Sequence, residues 1–109
     1  MDDSPANVLV IEGRVVQLPE TRMSPAGIPI SRFVIEHLSQ CEEAGMSREV
    51  RLRLGAVATG KDLQPLIANL RVDSRVRLRG FLARTGYRSD EYRLVLHAQS
   101  IHILNDADR

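Results

Sequence analysis

Arginine recurs at every second position twice in this chain, at Arg51 and Arg53 and again at Arg75, Arg77 and Arg79. In an extended strand, residues two apart share a face and stand about 6.6–6.8 Å apart. That is close to the phosphate spacing along an extended single strand of nucleic acid. A guanidinium carries a planar donor fork that matches phosphate and stacks on bases. The stretch 84–93 adds Arg84, Tyr87, Arg88, Tyr92 and Arg93. Tyrosine under a base and arginine on a phosphate is the chemistry of single-strand binding. A solvated sheet face also wants alternating charges. No carboxylate interleaves with either arginine row along its strand, which tips the reading toward an anionic partner.

No catalytic set accompanies these cations. A nucleophile needs a base within reach, and Cys41 has no histidine motif around it. One cysteine excludes an internal disulfide and a cysteine zinc cluster. His37, His97 and His102 show no metal-ligand spacing, and His37 and His97 read as structural groups on strand faces. Thr59-Gly60-Lys61 has the wrong glycine spacing for a phosphate cradle. Glu42-Glu43 reads as solvated surface. No metal, cofactor or enzymatic activity is expected.

The elements that must hold the arginines follow from period and breakers. Val8 to Val16 alternates as a strand, with Leu9, Ile11, Gly13 and Val15 on one face and a bend at Gly13. Pro19 to Pro29 reads as a loop. Ile30 to Ser39 is a second strand, and 40–47 a polar hairpin loop. Arg48 to Leu54 alternates most cleanly, with Val50, Leu52 and Leu54 inward. From Gly55 to Gly60 the strand pattern lapses. Leu63, Leu66, Ile67 and Leu70 follow helical spacing, which Pro65 limits to about two turns. Val76 and Leu78 face inward on a fourth strand that bends at Gly80. After a polar loop, Tyr92 to Leu104 forms the fifth, with Leu94, Leu96 and Ala98 inward. Phe33 and Phe81, in apolar strand contexts, are assigned to the core.

Five strands with a short helix between the third and fourth predict an all-β fold, a five-stranded OB-fold barrel over 7–104 with flexible tails at 1–6 and 105–109. A chain of 109 residues that is 43% hydrophobic fits one domain with a small core. It has no apolar run long enough to span a bilayer, and its N-terminus Met-Asp-Asp-Ser-Pro has no signal-peptide pattern. The expected location is cytoplasmic, without membrane contact. The net charge of +1 conceals an asymmetry. The first 47 residues hold three arginines against seven carboxylates, whereas 48–93 hold ten arginines and Lys61 against five.

Several segments together resemble the primosomal replication protein N (PriB) family, relatives of bacterial single-stranded DNA-binding protein. They are Leu9-Val10-Ile11-Glu12-Gly13-Arg14-Val15, Ser24-Pro25-Ala26-Gly27-Ile28-Pro29, Phe33-Val34-Ile35-Glu36-His37, Glu42-Glu43-Ala44-Gly45, Gly80-Phe81-Leu82 and Leu94-Val95-Leu96-His97-Ala98. The resemblance runs from about Asn7 to Leu104. It implies a dimeric OB-fold protein without catalytic activity. Such a protein binds single-stranded DNA and the PriA helicase, with other primosomal proteins, to restart stalled replication forks. It also implies basic binding positions at Arg22 in the first hairpin loop and Arg48 near the second. Met46 and Arg51 stand where some relatives have Phe and Trp, and Gln17 and Leu38 where relatives are basic. Arg84, Arg88 and Arg93 replace a lysine-rich last loop. The candidate nucleic-acid-binding set is therefore Arg22, Arg48, Arg51, Arg53, Arg84, Tyr87, Arg88, Tyr92 and Arg93. Val10, Val16, Val34 and Leu38 make the outer faces of the first two strands partly apolar, in keeping with a homodimer. The reduced aromatic content leaves a second reading open, an adaptor for the helicase with weak or incidental DNA binding. An RNA-binding OB-fold protein is a third.

Overall fold

The computed structural model describes residues 4–85 and 93–104. Its strands are β1 (Leu9–Met23), β2 (Pro29–Glu43), β3 (Met46–Thr59), β4 (Arg75–Arg84) and β5 (Leu94–Leu104). They close into a barrel in the order β1-β2-β3-β5-β4. All pairs are antiparallel except β3 with β5. A 3-10 turn (Lys61–Leu63) leads into a single helical turn, α1 (Gln64–Ile67), between β3 and β4. This is the five-stranded OB barrel that the element order predicts.

Alternation builds the core. Val15, Phe33, Ile35, Val76, Leu78 and Leu96 are wholly or almost wholly buried inside the barrel. Ile67 and Leu70 close one end, with Leu63 and Leu66 packed against the same cluster. Gln64 Nε2 donates to the buried Ser31 hydroxyl at 3.0 Å, and Ser31 also meets the Thr21 hydroxyl at 2.7 Å. Pro65 sits within the first turn of α1, where its missing N–H costs no helical bond.

The strands run longer than hydropathy indicates. β1 continues through Pro19 to Met23, so the loop expected over 19–29 shrinks to a turn at 24–28. There Ser24 N–H donates to the Ile28 carbonyl, and the Ser24 hydroxyl accepts from the Ile28 N–H. The loop expected over 40–47 is a two-residue turn. Ala44 and Gly45 both have positive φ, at 53° and 77°, the signature of a tight primed hairpin. The β2–β3 ladder runs unbroken from Ile30 opposite Thr59 to Glu43 opposite Met46. Its outer half projects beyond the core, so Leu52, expected inward, is 37% exposed. At 40–47, with water on both faces, the arm has no hydropathic alternation to read. The lapse at 55–60 has the opposite cause. Ala56, Val57 and Ala58 are all buried, flanked by β2 on one side and β5 on the other. β5 begins at Leu94 rather than Tyr92, and Leu94, expected inward, is 52% exposed. The expected tails lie outside the described residues except for 4–6, which are exposed and form no strand.

Of the three glycines inside strands, Gly13 and Gly80 sit where backbones touch. A Cβ on Gly13 would stand 2.6 Å from the Glu36 carbonyl oxygen, and one on Gly80 would collide with the His97 carbonyl. Gly80 lies at the β4–β5 register shift, where Gln99 is the extra residue of β5. Gly80→Ala is therefore expected to cost at least the upper part of the ~1–3 kcal/mol typical of overpacking. Gly55→Ala, whose Cβ would meet only the movable Val95 side chain at 3.3 Å, should cost less. Urea denaturation of the two variants checks the order.

Candidate nucleic-acid interface

Strand register assembles the outer face of the barrel in rows. Arg22, Ile30 and Thr59 lie across one row, and Glu20, Arg32, Val57, His97 and Phe81 across the next. Val34, Gly55 and Val95 follow, then Arg14, Glu36 and Arg53, then Leu38 and Arg51. Arg51 and Arg53 thus share an exposed face with Arg22, as the strand period requires. Arg48 does not. It lies opposite Cys41, on the reverse side of the arm with Val50 and Leu52, and its Nη1 donates to Glu43 Oε1 at 2.6 Å.

No carboxylate interleaves along either strand, but the arginine rows are not free of acids, because neighbouring strands bring carboxylates to them. Glu36 Oε2 accepts from Arg53 Nε at 3.1 Å, and its Oε1 accepts from Arg14 Nη2 at 3.0 Å. Arg14 also donates to Asp73. Arg77 Nε donates to Glu12 Oε2 at 2.7 Å. These carboxylates come from β1, β2 and the turn before β4, so no inspection of β3 or β4 alone reveals them. Arg75 is half-buried in a cleft with Arg14, Glu36, Arg51 and Leu104, and its Nη1 is buried without a hydrogen-bond partner. Arg79 is exposed.

Among the described residues, Arg22, Arg32 and Arg51 form no ion pair on this face. Arg22 and Arg32 flank Glu20 in a shallow cleft near the 24–28 turn. Arg32 is a candidate that the strand pattern placed outward without singling out. Arg84 and Arg93 stand together at the base of the last hairpin, where Thr85 N–H donates to the Arg93 carbonyl at 3.1 Å. Tyr87, Arg88 and Tyr92 lie outside the described residues.

Phe33 is core as expected, but Phe81 is not. It shares the odd-numbered face of β4 with Arg77 and Arg79, and its ring stacks on His97 with centroids 5.0 Å apart and planes 3° from parallel. The parity of β4 was the signal, and its apolar character masked it. His37 holds two strands together. Its Nδ1 lies 2.6 Å from the Glu12 carbonyl oxygen and its Nε2 lies 2.7 Å from the Ser39 hydroxyl. The described residues contain no cluster of three or more potential metal ligands, and no helix long and apolar enough to cross a membrane.

A closed OB barrel with a cationic β2–β3 face is the architecture of single-strand binding proteins. The sequence profile of one such family, described as another single-strand binding protein family, matches residues 7–100. A replication restart protein PriB from Photorhabdus laumondii is 41% identical over 102 residues, covering 94% of this chain and 97% of that protein. The PriB of Proteus mirabilis is 41% identical over 103 residues, covering 94% and 98%. Among solved structures, a PriB from Ralstonia solanacearum superposes with a TM-score of 0.80 at 24% identity, over 93% of this chain and all of that one. A Plasmodium falciparum SSB solved with single-stranded DNA gives 0.75 at 16% identity, over 96% and 100%. The chain belongs to this single-strand binding family and, within it, to the PriB replication restart proteins.

Glu36 is the pivot of the charge network. The hydrogen bond from Arg53, and next that from Arg14, hold its carboxyl below the ordinary carboxylate value, against the opposing effect of burial. A depressed folded-state value means that its contribution to stability is present above the unfolded value of about 4.5 and is lost as pH falls through the folded one. Thermal melts of Glu36→Gln should therefore lose less between neutral pH and strong acid than those of the parent. Equal acid sensitivity in both would contradict this linkage.

Proposed function

We propose that this chain binds single-stranded DNA during replication restart, as a cytoplasmic binding module with no catalytic step of its own. The observation that carries this reading is that Arg22, Arg32 and Arg51, on the β1–β3 side of an OB barrel of PriB type, form no ion pair among the described residues. The contacts assigned are phosphate pairing by Arg22, Arg51 and Arg53, with further contacts from Arg84, Tyr87, Arg88, Tyr92 and Arg93. Arg48 contributes from the reverse of the arm. The partners assigned are the PriA helicase, other primosomal proteins and a second copy of this chain.

A specific observation favours the second reading, an adaptor for the helicase with incidental DNA binding. Arg14, Arg48, Arg53 and Arg77 are already paired to carboxylates. Fluorescence anisotropy of a labelled oligonucleotide over a salt series separates the two. The expected result is preference for single strands over duplex and steep salt dependence. Arg51→Ala should lower the magnitude of the log–log salt slope by about 0.7, the value of one phosphate contact on a single strand. Weak binding that ignores strandedness, together with helicase capture that survives nuclease, would favour the adaptor.

The dimer is supported by exposed apolar side chains. Val10 and Leu38 are 51% and 58% exposed, and both line an apolar cleft with Leu9, Val50 and Leu52. Sedimentation equilibrium should find a dimer for the parent and a monomer for Leu38→Asp. A dimeric Leu38→Asp would move the interface elsewhere.

A further inference from the structure

Glu36 stands in the middle of a row of three strands, with Arg14 of β1 on one side and Arg53 of β3 on the other. Each neighbour is one strand spacing away, about 4.8 Å. Both guanidiniums close on its carboxylate, Arg14 Nη2 at 3.0 Å and Arg53 Nε at 3.1 Å. The two arginines are exposed, and the acid between them is mostly covered. Asp73 accepts from Nη1 of Arg14, so the fork stays aimed at the row when Nη2 is released. Arg51 projects from the same face of β3, about 6.6–6.8 Å from Arg53. It forms no ion pair among the described residues. To a guanidinium, a carboxylate and a phosphate are the same kind of partner, a pair of anionic oxygens that accept from the fork. Glu36 therefore occupies the position that a phosphate takes between two arginines.

We propose that Arg14 and Arg53 form one phosphate subsite for a single strand, and that Glu36 is its displaceable internal occupant, which limits how tightly the strand is held. Arg14 enters the binding set by this geometry alone, since no arginine alternation in β1 points to it. The next phosphate of the strand falls to Arg51. When a phosphate enters the subsite, a carboxylate returns to solvent. One anion replaces another, so this subsite releases almost no net counterion and adds little to the salt dependence. The same carboxylate ties β1, β2 and β3 together. Glu36 thus serves the fold and opposes the ligand, and stability and affinity pull in opposite directions at one residue. The proposal rests on the single-strand reading above and adds to it a subsite that limits itself.

The experiment measures anisotropy of a labelled oligothymidine, with a duplex control, over a salt series. It compares the full-length parent, Glu36→Gln, Glu20→Gln and the double variant Arg14→Ala/Glu36→Gln, each with a thermal melt. Glutamine keeps the shape of Glu36 and removes its charge. Glu20→Gln removes the same charge from the same face without releasing an arginine, because Glu20 forms no ion pair among the described residues. Glu36→Gln should melt below the parent at neutral pH and yet bind about two- to thirtyfold more tightly at low salt, the range that two exposed ion pairs span. Its log–log salt slope should steepen by about 0.7, one phosphate on a single strand. Glu20→Gln should leave the slope unchanged, and Arg14→Ala in the Glu36→Gln background should give back most of the gain in affinity. If the parent prefers single strands but Glu36→Gln binds no more tightly, or Glu20→Gln reproduces its slope, the subsite is wrong and the single-strand reading stands. If the parent shows no preference for single strands, both fail.

Discussion

One strand serves two halves of the barrel, and the rest of the structure depends on how it crosses between them. Residues 9–14 of β1 pair with β4, and Arg14 to Met23 pair with β2, so Arg14 is shared by both ladders. The backbones approach so closely at this point that Gly13 has no room for a side chain beside Glu36. His37 spans the strands just where they diverge, reaching the Glu12 carbonyl. Asp73, with φ of 73°, donates its N–H to the Val15 carbonyl and accepts from Arg14. A crossing this tight fixes which outer-face residues become neighbours. It therefore decides the electrostatics of the surface.

That is why counting arginines overstates the cationic face. Glu12 and Glu36 belong to strands whose local charge gives no sign of it, yet the crossing places Glu12 opposite Arg77 and Glu36 opposite Arg14, and the β2–β3 ladder sets Glu36 opposite Arg53. Exposed ion pairs contribute little to stability, so their main consequence is selection. Arginines next to a carboxylate must give up a partner before they can meet a phosphate, while Arg22, Arg32 and Arg51 need not. Glu36 faces two arginines at once with its side chain only 16% exposed. It holds Arg14 and Arg53 in place and lowers their availability together.

The parts of this arrangement that a single chain reveals are those governed by one strand at a time. Strand number, the short helix and the core residues Val15, Phe33, Ile35, Val76 and Leu78 follow from alternation against a buried interior. Where water lies on both faces, as at 40–47 on the arm, or protein on both, as at Ala56 to Ala58, alternation vanishes and strands read as loops. Parity places Arg51 and Arg53 together, and the same parity separates Arg48 from them and exposes Phe81. The ion pairs at Glu12 and Glu36 depend on register between strands, which sets Glu12 opposite Arg77 and Glu36 opposite Arg14 and Arg53. A reading of one strand at a time has no access to that pairing.

The face that results divides its chemistry. Guanidiniums occupy both ends, Arg22 and Arg32 near the 24–28 turn and Arg51 on the arm. Val34, Gly55 and Val95 form an apolar strip between them, and Gly55 leaves it without a side chain at its centre. Charge at the ends attracts a polyanion without regard to its strandedness, since every nucleic acid carries phosphates. Discrimination must come from something a duplex lacks, and unstacked bases are the available difference. Of the two phenylalanines in the chain, Phe33 is committed to the core and Phe81 stands on the outer face. Gly80 permits the close β4–β5 approach beside Phe81 and His97, so the placement of that ring pair rests on a backbone constraint.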